Sequence, residues 1–291
     1  MKKYADIFVL LSGLLWGLVG PPVQALGRIG FSSIQISALR WVFSAFIMFI
    51  LVLIFNRNLL KIRLKDIWIF PLTGIMCILL SSTLYFVTMP LTTVAVANIL
   101  MYTSPVWILI FSIIFLNEKI TAKKLICIAL AFFGCAFATG IISTGNLRFT
   151  PLGILTGLGS GLFYGLYSVF GKIALKKYDS VTVTLYTVIF AGIGSLFIIN
   201  FPEAANLIQN NPKSLMPLAA LVILMTIAPY TLYTLGLKFS RATRVAVIAC
   251  VEPMTSAIVG TFFMNEPFTL FQLLGIVMIL TACILLQFKK Q

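Results

Sequence analysis

Two ionisable side chains, Arg40 and Glu252, fall inside long apolar runs of this sequence. In hydrocarbon a charge is costly, so such a residue usually faces the protein interior or a water-filled cavity and points to a function. Glu252, immediately before Pro253, offers a carboxyl that can carry a proton or hold an amine. Arg40 offers a counter-charge for a substrate carboxylate. The competing reading of Glu252 is a neutral acid donating to a nearby backbone carbonyl. For Arg40 it is a partner for a backbone carbonyl, or a side chain snorkelling to the interface.

Other groups gather around these two. Pro105 and Pro253 each remove a backbone hydrogen bond mid-helix, which kinks the helix and frees a carbonyl. Asn98, Tyr102 and Pro105 are spaced i, i+4 and i+7, so they share one helix face. Trp16, Tyr85, Tyr164, Tyr230 and Tyr233 lie inside apolar segments rather than only in the interfacial belts where such rings collect. They are candidates for the wall of a substrate cavity, with core packing as the alternative. The sequence has no histidine, which removes the commonest general base and metal ligand and argues against an enzyme. Cys77, Cys127, Cys135, Cys250 and Cys283 sit in apolar runs and read as small hydrophobes. No cofactor and no metal site are expected.

The elements that must position these groups are membrane helices. The 291 residues are 60% hydrophobic and 10% charged, whereas a soluble domain carries about 25% charged residues to face water. A net charge of +14 comes from basic residues scattered singly or in short groups between apolar runs, which fits membrane flanks and not a nucleic-acid-binding face. Segments of about 20 apolar residues, the length needed to cross hydrocarbon, run over 6–26, 34–55, 67–89, 93–116, 122–141, 151–171, 180–201, 214–237, 243–264 and 269–288. Pro90 is expected to end the third and make a tight turn to the fourth. The first segment imitates a signal peptide, but the internal repeat requires it as a helix.

With the amino terminus in the cytoplasm, every one of the 21 Lys and Arg residues except Arg28, Arg40, Arg148 and Lys213 falls in an inner segment. Retained loops favour positive charge, so both termini are expected to be cytoplasmic and the loop over 203–213 external.

Shifting the sequence by 148 positions places Ser12-Gly13-Leu14-Leu15-Trp16-Gly17-Leu18 on Ser160-Gly161-Leu162-Phe163-Tyr164-Gly165-Leu166. The same shift pairs Thr83-Leu84-Tyr85 with Thr231-Leu232-Tyr233, Pro105 with Pro253, Asn117-Glu118 with Asn265-Glu266, and Cys135 with Cys283. Residues 1–145 and 146–291 thus read as two five-helix repeats. An odd helix number makes the second copy enter the membrane from the opposite side, so the repeats are inverted. Transporters built this way bind substrate near the midplane at the repeat interface. Gly13, Gly17, Gly161 and Gly165 form small-xxx-small patterns for close helix approach. Asn117-Glu118 and Asn265-Glu266 read as structural turns, with Thr121 and Thr269 capping the helices that follow.

The Gly-Leu-Leu-Trp-Gly run, Ala38-Leu39-Arg40-Trp41, Ser104-Pro105, Glu252-Pro253 and the Asn-Glu turns together resemble the drug/metabolite transporter superfamily, of the ten-helix EamA type. The resemblance covers nearly the whole chain. It implies an all-α membrane protein of ten helices that moves a small metabolite, such as an amino acid, amine or carboxylate, often outward across the cell membrane. The expected partners are that substrate and the lipid bilayer, without nucleic acid, and a homodimer stays open. The rival functions are a lipid-carrier flippase and a non-transport membrane sensor or assembly protein.

Overall fold

The computed structural model describes residues 4–140, 149–264 and 267–287. Expectations attached to Lys2, Lys3, Arg148, Asn265, Glu266, Lys289 and Lys290, and to the junction between the two repeats, lie outside the described residues. Those residues form an all-helical membrane protein without a strand. We number its long helices α1 (Ala5–Ile29), α2 (Ser33–Phe55), α3 (Leu64–Leu91), α4 (Val94–Leu116), α5 (Ala122–Ala138), α6 (Pro151–Ala174), α7 (Ser180–Ser195), α8 (Pro212–Phe239), α9 (Ala242–Met264) and α10 (Leu270–Gln287).

Seven of them, α1 to α4, α6, α8 and α9, are long and apolar enough to cross a bilayer. α7 and α10 are shorter apolar helices, and α5 has 17 residues with two lysines in its first turn. α7 ends well before the expected 201. The polar stretch after it, expected as a loop, folds instead into a short amphipathic helix, Phe201–Asn210, because Ala204, Leu207 and Ile208 find an apolar bed beside Leu26, Phe31 and Leu218.

Several helices are broken. α1 is interrupted at Leu18–Val19 and restarts at Gly20 with Pro21 and Pro22 in its first turn, positions where the missing N–H costs nothing. α4 breaks at Tyr102–Thr103 and α9 at Cys250. Pro105 and Pro253 therefore stand just beyond the breaks, in the first turns of the second halves. α3 carries a π-helical stretch over Leu72–Leu79 and α8 another over Ile223–Ile227, related by the same shift that aligns the two halves of the sequence. Such stretches frequently mark functional sites. Pro90 is accommodated in the last turn of α3, and the turn into α4 falls at Thr92 and Thr93, where Thr93 caps the next helix.

The glycines act as expected, with a symmetry the spacing alone does not give. A methyl added at Gly13 would lie 3.2 Å from the Ala249 carbonyl oxygen, and one at Gly161 would lie 3.0 Å from that of Met101. At Gly17 the methyl would meet the Glu252 carbonyl at 2.8 Å, and at Gly165 the Ser104 carbonyl at 3.1 Å. Each partner pair is related by the sequence shift. α1 thus packs on the break of α9, and α6 packs on the break of α4. The carbonyl of Met101 lies against Gly161.

Candidate functional site

The break residues and the helices packed on them enclose a cavity of about 440 Å³. Its walls are helical stripes. α1 contributes Trp16, Gly20 and Gln24; α2 contributes Ser33, Ser37 and Arg40; α3 contributes Ser81, Ser82 and Tyr85. From α4 come Val94, Asn98 and Tyr102, and the second half of the chain adds Tyr164, Leu221, Tyr230, Glu252, Ser256 and Met264. Spacings of three and four residues recur in each stripe because that is the period of one helix face.

Of the residues singled out from sequence, Trp16, Arg40, Tyr85, Asn98, Tyr102, Tyr164, Tyr230 and Glu252 all line this cavity. Tyr233 does not. Its side chain is 3% exposed and its hydroxyl lies 2.5 Å from Ser168 Oγ, inside the core beside Tyr167. Pro105 and Pro253 are buried behind the wall. Sequence reasoning missed Gln24, Ser33, Ser37, Ser81, Ser82 and Ser256. Ser33 and Ser37 share a face with Arg40, and Ser256 follows Glu252 by one turn, so the stripe through each charged residue held the signal.

An aromatic cluster backs the cavity. The Trp16 ring meets Tyr230 at 5.1 Å, edge on, and Tyr164 at 6.5 Å, while Trp41 meets Tyr230 at 5.4 Å. These are favourable edge-to-face separations. The Arg40 guanidinium lies 4.7 Å from the Trp41 ring centroid, which gives the cation a face to stack on. Arg40 Nε and Ser37 Oγ have no hydrogen-bond partner among the described residues. Tyr85 donates to Asn98 Oδ1 at 2.5 Å. Glu252 lies within electrostatic reach of Arg40, Tyr85, Tyr102 and Tyr164. A wall with a cation, a carboxyl and several hydroxyls between flat rings suits a small molecule that bears both charge and apolar surface.

Toward the end of the bundle that holds both described termini, polar bonds tie the first half of the chain to the second. The buried Glu118 side chain accepts from Lys124 Nζ at 2.6 Å, Thr243 Oγ1 at 2.6 Å and the backbone N–H of Ala242 at 2.9 Å. It caps the start of α9, a helix of the other half, a role beyond the hairpin turn that the sequence suggests. Burial alone would raise the Glu118 pKa, but the bonds from Lys124, Thr243 and Ala242 outweigh it and hold the carboxyl below the usual range. Asp66 accepts from Lys177 and from the Tyr178 hydroxyl. Asp6 pairs with Arg244 at 2.5 Å. The cysteines are free thiols, and the described residues contain no cluster fit to hold a metal ion.

This fold and this interior cavity are those of a membrane transporter. The EamA-like transporter family matches residues 3–140 and again 151–288, and the chain belongs to that family. A protein of Archaeoglobus fulgidus described as an uncharacterized transporter is 27% identical over 97% of this chain and 96% of its own. The uncharacterized transporter YvbV of Bacillus subtilis is 24% identical over 83% of this chain and 79% of its own. A solved crystal structure superimposes with a TM-score of 0.81 at 16% identity, covering 99% of this chain and 97% of the other. At that identity the likeness speaks for the fold.

Proposed function

We propose that the chain is a secondary transporter that exports a small zwitterionic metabolite, an amino acid or a related amine or carboxylate, across the cytoplasmic membrane by alternating access. The observation that carries this reading is the placement of Arg40 and Glu252 on one cavity wall without an ion pair between them. A zwitterion's carboxylate matches the guanidinium, its ammonium matches the carboxyl or the phenol oxygens, and its side chain packs on Trp16, Tyr164 and Tyr230. Such a charge pair favours a soluble metabolite over a lipid carrier's long chains.

In this reading all ten helices span the membrane as two inverted five-helix repeats, 1–145 and 146–291, with both termini cytoplasmic. Glu118, Asp66 and Asp6 then close the inner end through bonds between repeats, and the cavity reaches from the midplane toward the outside. Inversion also accounts for Tyr233. Its mate Tyr85 stands on the open side, so Tyr233 stands on the closed side and enters a cavity when the repeats exchange conformations. Glu252 carries the coupled proton, because protonating it changes the charge of the cavity that holds the substrate.

Counterflow into proteoliposomes tests the substrate class. Vesicles loaded with one amino acid should take up labelled amino acids, and uptake should fall when either the amine or the carboxylate is removed from the probe. Uptake of uncharged or purely lipidic probes with no zwitterion counterflow would overturn it.

A further inference from the structure

At the terminus-bearing end, α8 is fastened to α6 and α7. Lys172 Nζ on α6 donates to the carbonyls of Leu237 at 2.5 Å, Lys238 at 3.1 Å and Ser240 at 2.7 Å. The last carbonyls of a helix have no partner within it, and an ammonium with three donors can answer several at once. Beside this latch the hydroxyls of Ser168 and Tyr233 lie 2.5 Å apart, and those of Thr184 and Thr234 lie 2.6 Å apart.

The 148-residue shift carries this seam to the opposite end of the bundle. Lys172 maps to Gln24, and Leu237, Lys238 and Ser240 map to Met89, Pro90 and Thr92 at the end of α3. Ser168 and Tyr233 map to Gly20 and Tyr85, and Thr184 and Thr234 map to Ile36 and Phe86. Gln24, Met89, Gly20, Tyr85, Ile36 and Phe86 all line the substrate cavity. A sealed seam in one half of the chain is therefore an open wall in the other. Of the last four carbonyls of α3, Thr88 accepts from the Thr92 N–H and Leu91 from the Thr150 hydroxyl. The other two belong to Met89 and Pro90, the mates of two acceptors of Lys172.

We propose that Gln24 is the latch of the opposite conformation: when the cavity closes, its side-chain amide donates to the carbonyls of Met89 and Pro90 while Phe86 packs on Ile36. The proposal rests on the alternating access proposed above and names the residue that holds the cavity shut. Gln24 acts by positioning α3. A neutral amide bonds more weakly than an ammonium, so the unequal latches favour the conformation in which Lys172 is engaged and the cavity on the Gln24 side stands open.

The test is the rate at which a maleimide labels two reporter cysteines in the full chain purified in detergent, where both ends are reachable and no substrate is required. Ser82→Cys reports the cavity that is open here. Ala246→Cys, at a position 4% exposed on α9 and the mate of Asn98, reports the cavity that would open at the other end. The parent chain, with its five native thiols, gives the background. Gln24→Leu should slow labelling of Ala246→Cys about fivefold, the worth of one neutral hydrogen bond, and Lys172→Gln should speed it about tenfold, the worth of a charge-assisted one. Gln24→Lys, at a half-exposed position, should also speed it about tenfold and slow labelling of Ser82→Cys. A change confined to packing around Gln24 would not reach Ala246 at the other end. If Lys172→Gln speeds labelling of Ala246→Cys while neither substitution at Gln24 moves it, the latch is overturned and alternating access stands. If none of the three variants, each shown by a melting curve to be folded, moves either reporter, the exchange of conformations falls with it.

Discussion

Arg40 and Glu252 stand on the wall of one cavity, within electrostatic reach of each other, yet neither belongs to an ion pair among the described residues. Two opposite charges left apart inside a bundle cost free energy unless something else uses them. A zwitterion lying between them is the use that the transport reading assigns.

Arg40→Lys should separate recognition from folding. Lysine keeps the charge but loses the planar fork and the stacking on Trp41. The apparent affinity for an amino acid should fall about tenfold, in keeping with one charge-assisted hydrogen bond, while an amine without a carboxylate is carried as before. Counterflow of the two probes measures this, and an equal loss for both would show that Arg40 serves the fold.

Glu252→Gln keeps the shape of the side chain and removes its exchangeable charge. In proteoliposomes the variant should still exchange substrate between equal concentrations and lose its response to an imposed pH gradient. Accumulation against a gradient at the parent's level would make Glu252 a packing residue.

Gly17→Ala should destabilise the protein by about 1–3 kcal/mol, the usual cost of overpacking, because the new methyl runs into Thr255 and the Glu252 carbonyl. Gly27→Ala, with no atom within 4 Å of the added methyl, should leave the melting temperature unchanged or slightly raised. Thermal melts in detergent compare the two, and a smaller shift for Gly17→Ala than for Gly27→Ala would contradict the packing described.

Glu118 and Asp179 both have folded-state pKa values below their ordinary ones. For Asp179, burial would raise the value, but the Lys238 bond and the Val181 N–H lower it further. A depressed carboxylate contributes stability that is fully present above its unfolded pKa, near 4, and is lost as pH falls through the folded value. Thermal stability should therefore be level from neutral pH down to about 5 and decline steeply below about 4. Glu118→Gln should be less stable than the parent at pH 7 by about 1–2 kcal/mol, and the difference should vanish in acid. A constant difference at all pH values would mean that the charge of Glu118 is not what holds α9.

Orientation is open to direct labelling. Asn206 lies on the exposed face of the short helix Phe201–Asn210, and Arg63 is exposed between α2 and α3. In intact cells an impermeant maleimide should modify Asn206→Cys and spare Arg63→Cys. The reverse pattern would invert the proposed topology.

Much of the architecture was legible in the residue order. Long apolar runs bounded by charges became helices close to their expected limits, since a chain in lipid must satisfy its backbone bonds within each helix. The 148-residue shift anticipated which helices carry matching glycines and breaks, because both halves solve the same packing problem with the same residue types. Arg40 and Glu252 stood out for the reason they matter: burying a charge is costly enough to be rare.

Tertiary structure alone decided the rest. Pairing glycine with carbonyl, Gly17 against Glu252 and Gly165 against Ser104, depends on which helices of the two halves meet, and helix periodicity says which face is small but not what it touches. Glu118 read as part of the turn of its own hairpin because local spacing sees only neighbours in sequence, whereas its bonds to Ala242 and Thr243 exist only once α9 is folded against it. Tyr85 and Tyr233 are equivalent in the repeat, yet Tyr85 faces the cavity and Tyr233 the core. A repeated sequence supplies the same side chain twice, and only the arrangement of the packed helices determines which copy is exposed.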